Sequence, residues 1–207
     1  MSNTWSSDSK NSFYNATFSA GYTGGVDVFI SIDKEPVDVV EATLYAALEM
    51  DYPNFQVFVL NNLLLEETVL TKKIEQMTDR VGGVYLNMAI SKDLKTDKIN
   101  HALANSSNPY VVIFDANNIP HKDFLRKTIG YFIDDKVGFV RSRIHLGKNK
   151  LNSILLAGTN TVFRRESVMQ VGGISQSNAA KYLVTLLSIY QKGWKSVYVQ
   201  EMLSERV

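Results

Sequence analysis

The sequence predicts an α/β domain with a mostly parallel central sheet covered by helices on both faces. Two observations predict it. Short apolar runs of strand length alternate with longer segments of helical spacing, and the connections between them are short. Strongly apolar runs such as Tyr110–Phe114 fit strands buried on both sides. A chain of 207 residues is long enough for one domain with a sizeable core.

The elements can be read in order. Residues 1–25 are rich in Ser, Asn, Gly and Thr, which reads as a loosely held arm or linker, leaving 26–207 as the domain. Val26–Ile32 is a buried strand. Pro36 suits a first helical turn, and Val39, Val40, Leu44, Ala47 and Leu48 carry helical spacing to Met50. Asp51-Tyr52-Pro53-Asn54 is a turn, and Phe55–Leu60 a second strand. Glu66–Thr78 is a helix with Val69, Leu70, Ile74 and Met77 facing in. Val84–Met88 is a strand, Lys95–Ala104 a helix, and Tyr110–Phe114 a strand that runs into Asp115. His121–Ile133 is a helix and Val137–Arg143 a strand. Ser153–Phe163 is the least defined segment. Ala179–Gln191 is a helix with Leu183, Leu186, Leu187 and Tyr190 as its inner stripe, and Ser196–Val199 a final strand. Ligands of such sheets bind beyond the carboxyl ends of the strands, which directs attention to Asn61-Asn62, the loop after Met88, and Asp115-Ala116-Asn117-Asn118.

Composition narrows the function classes. Hydrophobic residues are 45% and charged residues 21%, ordinary for a globular protein. A net charge of +1 gives no strong pull toward nucleic acid or anionic membrane. The absence of cysteine excludes disulfides and thiolate-bound metals. No apolar run approaches the ~20 residues of a membrane span, and the first residues do not read as a signal peptide. His101, His121 and His145 are isolated and lack metal-ligand spacing. Arg164-Arg165 read as braces of local structure.

Six segments in order carry a resemblance. Val26–Pro36 (VDVFISIDKEP) is similar to VDVFVPTYNEP, and Ala46–Pro53 to a helix and turn ending in YP. Lys95–Leu103 (KTDKINHAL) is similar to KAGNLNNAL, and Pro109–Pro120 (PYVVIFDANNIP) to PYVVIFDADHIP. Gly158–Glu166 (GTNTVFRRE), followed by Val171-Gly172-Gly173, is similar to GTNAVFRRE, and Gln191–Trp194 to a helix end RGW. Together these resemble the cellulose synthase and hyaluronan synthase branch of family-2 glycosyltransferases over residues 26 to about 205. The resemblance implies a single GT-A domain that binds UDP or a UDP-sugar. It also implies oxygen-ligated Mg2+ or Mn2+ if the domain is active, and a carboxylate as general base.

The family's acidic motifs are altered here. Its uridine-contacting aspartate pair falls on Asn61-Asn62, which can hydrogen-bond but carry no charge. Its metal-binding DxD falls on Asp115-Ala116-Asn117, leaving Asp115 as metal ligand with lowered affinity. Counting back from Gly193-Trp194, its TED falls on Ala180-Lys181-Tyr182. Tyr182 therefore stands where the base is expected, beside Lys181, and a tyrosine of ordinary pKa of about 10 is a poor base near neutrality. No Asp or Glu occurs between Gly172 and Trp194. The inherited nucleotide-contacting positions are Glu35, Asn61, Asn62, Lys95, Asp115 and Asn117.

The expectation is a catalytically impaired glycosyltransferase-like domain with a structural or regulatory role, partnering a polysaccharide synthase or another protein. The resemblance also implies a cytoplasmic domain at the membrane face, within a longer membrane protein. The alternatives are an active UDP-sugar transferase with an atypical metal site, and an interaction module whose old donor cleft is filled by side chains such as Tyr182.

Overall fold

The structure is a computed structural model that describes residues 23–61, 69–87, 95–143, 159–175 and 181–207, with the backbone alone at 70, 95–97 and 181. Residues 1–22 of the expected arm lie outside this set. Thr23–Gly25 lie against the domain: Tyr52 Oη donates to the Gly24 carbonyl at 2.8 Å and the Tyr110 amide to that of Gly25 at 3.2 Å.

The elements alternate as expected. Strand β1 (Val26–Ser31) leads to helix α1 (Val37–Leu48), β2 (Phe55–Asn61), α2 (Val69–Arg80), β3 (Val84–Asn87), α3 (Lys95–Ala104) and β4 (Tyr110–Asp115). A short β5 (Asn118–Pro120) follows, then α4 (Arg126–Ile129), β6 (Val137–Arg143), β7 (Thr161–Arg164), α5 (Arg165–Met169), α6 (Lys181–Gln191), β8 (Lys195–Met202) and β9 (Ser204–Arg206). The main sheet has seven strands in the order β3-β2-β1-β4-β7-β6-β8. Four of its pairings are parallel, and β7 is antiparallel to both β4 and β6.

Strand order reverses between β1 and β4. From β1 the chain moves outward through β2 to β3, then returns to place β4 on the other side of β1. Sheets of this kind bind ligands at such a switch point, in a crevice at the carboxyl ends of the two strands, and here Ser31 lies level with Asp115. One face of the sheet packs Val28, Ile30, Val57, Val59 and Val112 against Val40, Leu44 and Ala47 of α1. The other packs Phe29, Phe58, Ile113 and Phe163 against Ile99 and Leu103 of α3 and against Tyr182, Leu186 and Ile189 of α6.

Several expectations are corrected. The inner stripe of α6 is Tyr182, Thr185, Leu186 and Ile189, while Leu187 and Tyr190 are exposed. An apolar helix offers more than one stripe, and contact with the sheet selected this one. Val69 is 86% exposed rather than inward-facing. The expected helix 121–133 is a turn, a short α4 and a 3-10 turn Gly130–Ile133. Neither α5 nor the β5–β9 pair was anticipated. Of the least defined segment, 153–163, residues 153–158 lie outside the described residues and 161–163 belong to β7.

Candidate active site

Asp115 and the loop after it are fixed from three sides. The Ala116 amide donates to the Ser31 carbonyl at 3.1 Å, which carries the β1–β4 ladder one step past the strand. Thr43 Oγ1 of α1 donates to the Ala116 carbonyl at 2.6 Å. The C-terminal strand β9 pairs antiparallel with β5, and the Val207 amide donates to the Asn117 carbonyl at 3.0 Å. Behind the loop, Asn118 Nδ2 donates to Thr159 Oγ1 at 3.2 Å and to Asn160 Oδ1 at 3.3 Å. Asn160 Nδ2 donates to Ser204 Oγ. Asn160 has φ 63°, a left-handed conformation that asparagine tolerates better than most residues.

Tyr182, on the first turn of α6, comes to this same place. Its side chain is buried at 6% exposure within the apolar layer under the sheet. Burial raises the phenol pKa far above its ordinary value, and the negative charge of Asp115 raises it further. The hydroxyl therefore stays protonated at neutral pH. Asp115, Asn117 and Tyr182 thus gather at the carboxyl end of β4.

The other candidates sit differently. Asn61 is fully buried and donates to Tyr85 Oη at 2.6 Å. Glu35 is turned into its own loop, where Oε2 accepts from the amides of Asp33 at 2.7 Å and Lys34 at 3.1 Å. Asn62 lies outside the described residues. Lys95 opens α3 and Lys181 opens α6, and the side chains of both lie outside the described set.

Three further residues at this end were not singled out from sequence. Lys98 is 2% exposed and its ammonium donates to the Ile32 carbonyl at the end of β1. Helical spacing carries the signal, because Lys98 lies four residues before the buried Ala102. Ser31 and Thr161 are fully buried, and among the described residues their hydroxyls have no hydrogen-bond partner. Strand alternation sets them on the face of Phe29 and Phe163, as it sets Asp115 with Ile113.

A hard divalent cation takes oxygen ligands, chiefly carboxylates. Here Asp115 offers one carboxylate, and Asn117 one buried amide oxygen that has no hydrogen-bond partner among the described residues. Among the described residues no three His, Cys, Asp or Glu side chains come together to hold a metal. Among the described residues this donor set is a poor fit for a resident divalent ion.

Away from the crevice, Arg164 and Arg165 do brace the fold. Arg165 pairs with the buried Asp27 at 2.6 Å and donates to the carbonyls of Leu103 and Asn108, both at 2.6 Å. Arg164 donates to the carbonyls of Val137 and Phe132, each at 2.9 Å. Among the described residues no helix is long and apolar enough to cross a membrane.

Known proteins are similar to this chain in sequence and in fold. The cellulose synthase 2 of Novacetimonas hansenii is 24% identical over 86% of this chain. The UDP-forming cellulose synthase catalytic subunit of Pseudomonas fluorescens is 23% identical over 84%. The chain spans only 13% and 27% of the lengths of these two relatives. Among solved structures, the mannosyltransferase PcManGT of Pyrobaculum calidifontis, in complex with GDP-Man and Mn2+, superposes with a TM-score of 0.73 at 17% identity. That match covers 95% of this chain and 64% of that one. Glucosyl-3-phosphoglycerate synthase of Mycobacterium tuberculosis, with Mn2+ and UDP, superposes with a TM-score of 0.68 at 12% identity, covering 100% and 78%. These likenesses show the GT-A fold. The family described as glycosyltransferase like family 2 matches residues 26–150, more than half of the sequence, and the chain belongs to that family, in its cellulose synthase-like branch.

Proposed function

We propose that this domain keeps a nucleotide-binding crevice, has lost sugar transfer, and serves polysaccharide synthesis as a structural or regulatory partner. The observation that carries the reading is Tyr182. At the position where a base is expected, a buried phenol faces Asp115 with its pKa driven upward. A base must be ionised, or otherwise able to take a proton, near the working pH, and this group is neither.

The loss of acidic ligands supports the same reading. One carboxylate and one amide oxygen give weak neutralisation of a departing diphosphate. On this reading 26–207 is the functional unit. Its ligand is UDP or a UDP-sugar, its partner is a polysaccharide synthase or another protein, and its place is the cytoplasmic face of a membrane within a longer protein.

The test is UDP release from UDP-glucose and other UDP-sugars with Mg2+ or Mn2+. The expected result is release no faster than that of a heat-inactivated control. Turnover above that control, abolished by Asp115→Ala, overturns the proposal in favour of an active transferase with an atypical metal site. The burial of Tyr182 also favours a second reading, in which its ring fills the old cleft and the domain only binds protein. That reading predicts no binding of UDP or uridine by calorimetry.

A further inference from the structure

We propose that two copies of this chain join through β8, antiparallel and centred on Tyr198, so that the sheet runs on across a dyad.

The first ground is the edge itself. β8 stands last in the main sheet, and among the described residues only β6 pairs with it. An edge strand presents a row of amides and carbonyls that another strand can pair with. Six of the eight residues of β8 are exposed, so this chain covers little of it. It contains no proline, which would block an added strand.

The second ground is the fit of β8 to its own copy. A dyad through the sheet sets each residue opposite one on the same face. Centred on Tyr198, it brings Lys195 opposite the partner's Glu201, Ser196 opposite the partner's Gln200 and Val197 opposite the partner's Val199. Tyr198 meets its own copy. Opposite charges, polar groups, branched apolar groups and aromatic rings thus each meet their match. Centring on Val199 would set Val197 against Glu201, and centring on Val197 would set Lys195 against Val199. Lys195 and Glu201 already pair with Asp134 and Lys127 of their own chain. Their contact across the dyad therefore selects the register more than it adds affinity.

An apolar strip beside the edge supplies the affinity. Helix α6 lies against β6, next to β8, with Ile189 beside Gly138. One flank of the helix, at Val184 and Ser188, lines a groove with Asn100 of α3, and α3 packs under β1 and β2. At about 100° per residue, the opposite flank carries Leu183, Leu187 and Tyr190 and so points toward β8. Tyr198 stands on this same face of the sheet, because it registers with Arg141, two residues from Phe139 of the layer that holds α6. Leu187, Tyr190 and Tyr198 are each more than half exposed. The dyad brings the strip of one copy against that of the other, on one side of the joined sheet, and removes it from water.

Sedimentation equilibrium of the full chain over a range of concentrations tests this. The expected result is a mass that rises from one chain toward two. Tyr198→Lys sets two ammonium groups face to face at the dyad and should weaken association about tenfold or more. Thermal unfolding checks that the variant folds. Disulfide trapping reads the register even if it does not. The chain has no cysteine, so any disulfide joins two copies. Tyr198→Cys should cross-link under mild oxidation, because the two positions face each other within reach. Gln200→Cys is also exposed, but in this register it lies roughly four residues along the strand from its own copy and should not cross-link. Mixed with Ser196→Cys, it should. A single-chain mass at every concentration overturns the proposal and leaves this face to a different partner. Association unchanged in a folded Tyr198→Lys chain, or equal trapping of Tyr198→Cys and Gln200→Cys, overturns it as well.

Discussion

Tyr182 decides the chemistry at the scale of single residues. Its hydroxyl is protonated over the whole neutral range, because burial and the Asp115 charge both disfavour the phenolate. Tyr182→Phe should therefore change stability by no more than about 1 kcal/mol and leave UDP release at background. Turnover above background in the parent chain that Tyr182→Phe abolishes would instead make the phenol catalytic. The pH dependence follows with a definite sign. The folded pKa of Tyr182 lies above its unfolded value, so its contribution is fully present below about pH 10 and is lost as pH rises beyond that. Tyr52, Tyr85 and Tyr131 are shifted the same way, each mainly by burial. Unfolding measured from pH 7 to 11 should show stability flat at first and falling above about pH 10. The fall should be shallower in Tyr182→Phe.

At the scale of elements, the braces and turns that hold α3, β1 and α5 together make the sharpest predictions. Arg165 ties the amino end of β1 to the end of α3 through a pair with Asp27, whose side chain is 2% exposed. Arg165→Ala leaves that carboxylate buried and uncompensated, and should cost about 3–5 kcal/mol in denaturant unfolding. A cost below about 1 kcal/mol would mean that the brace is idle. Gly173 has φ +92°, and a Cβ there would lie 2.6 Å from Asn100 Oδ1, which itself accepts from the Ile174 amide. Gly173→Ala should destabilise by about 1–3 kcal/mol, read as a lowered denaturant midpoint. The strands and helices that form these contacts were legible from periodicity, since their burial follows spacing along the chain. What was not legible depends on partners distant in sequence. The α6 stripe turned to Tyr182, Thr185 and Ile189 because the sheet selected it, and β9 exists because it meets β5. Lys98 was not singled out from the sequence, because the strand end that its side chain meets at Ile32 lies far away along the chain.

At the scale of the whole molecule, the fold brings together residues that the sequence scatters. The β1–β4 switch point sets Ser31, Asp115 and Lys98 at one edge, and α6 brings in Tyr182 from more than sixty residues further along the chain. The position of the candidate site follows from topology, because strand ends in alternating α/β chains mark where to look. Its chemistry was only half legible, because altered acidic motifs can be counted in a sequence, whereas the burial of a helix residue such as Lys98 depends on the strand it meets. The central claim is that a transferase fold persists here without the acids that hold a metal and activate an acceptor. Its most direct test is a crystal structure of the domain with UDP-glucose and Mn2+, using anomalous scattering to locate the metal. The account predicts intact donor at the carboxyl edge, no manganese bound to Asp115, and no carboxylate beside the sugar. Manganese bridging Asp115 and the diphosphate, with another acid at the anomeric carbon, would contradict it.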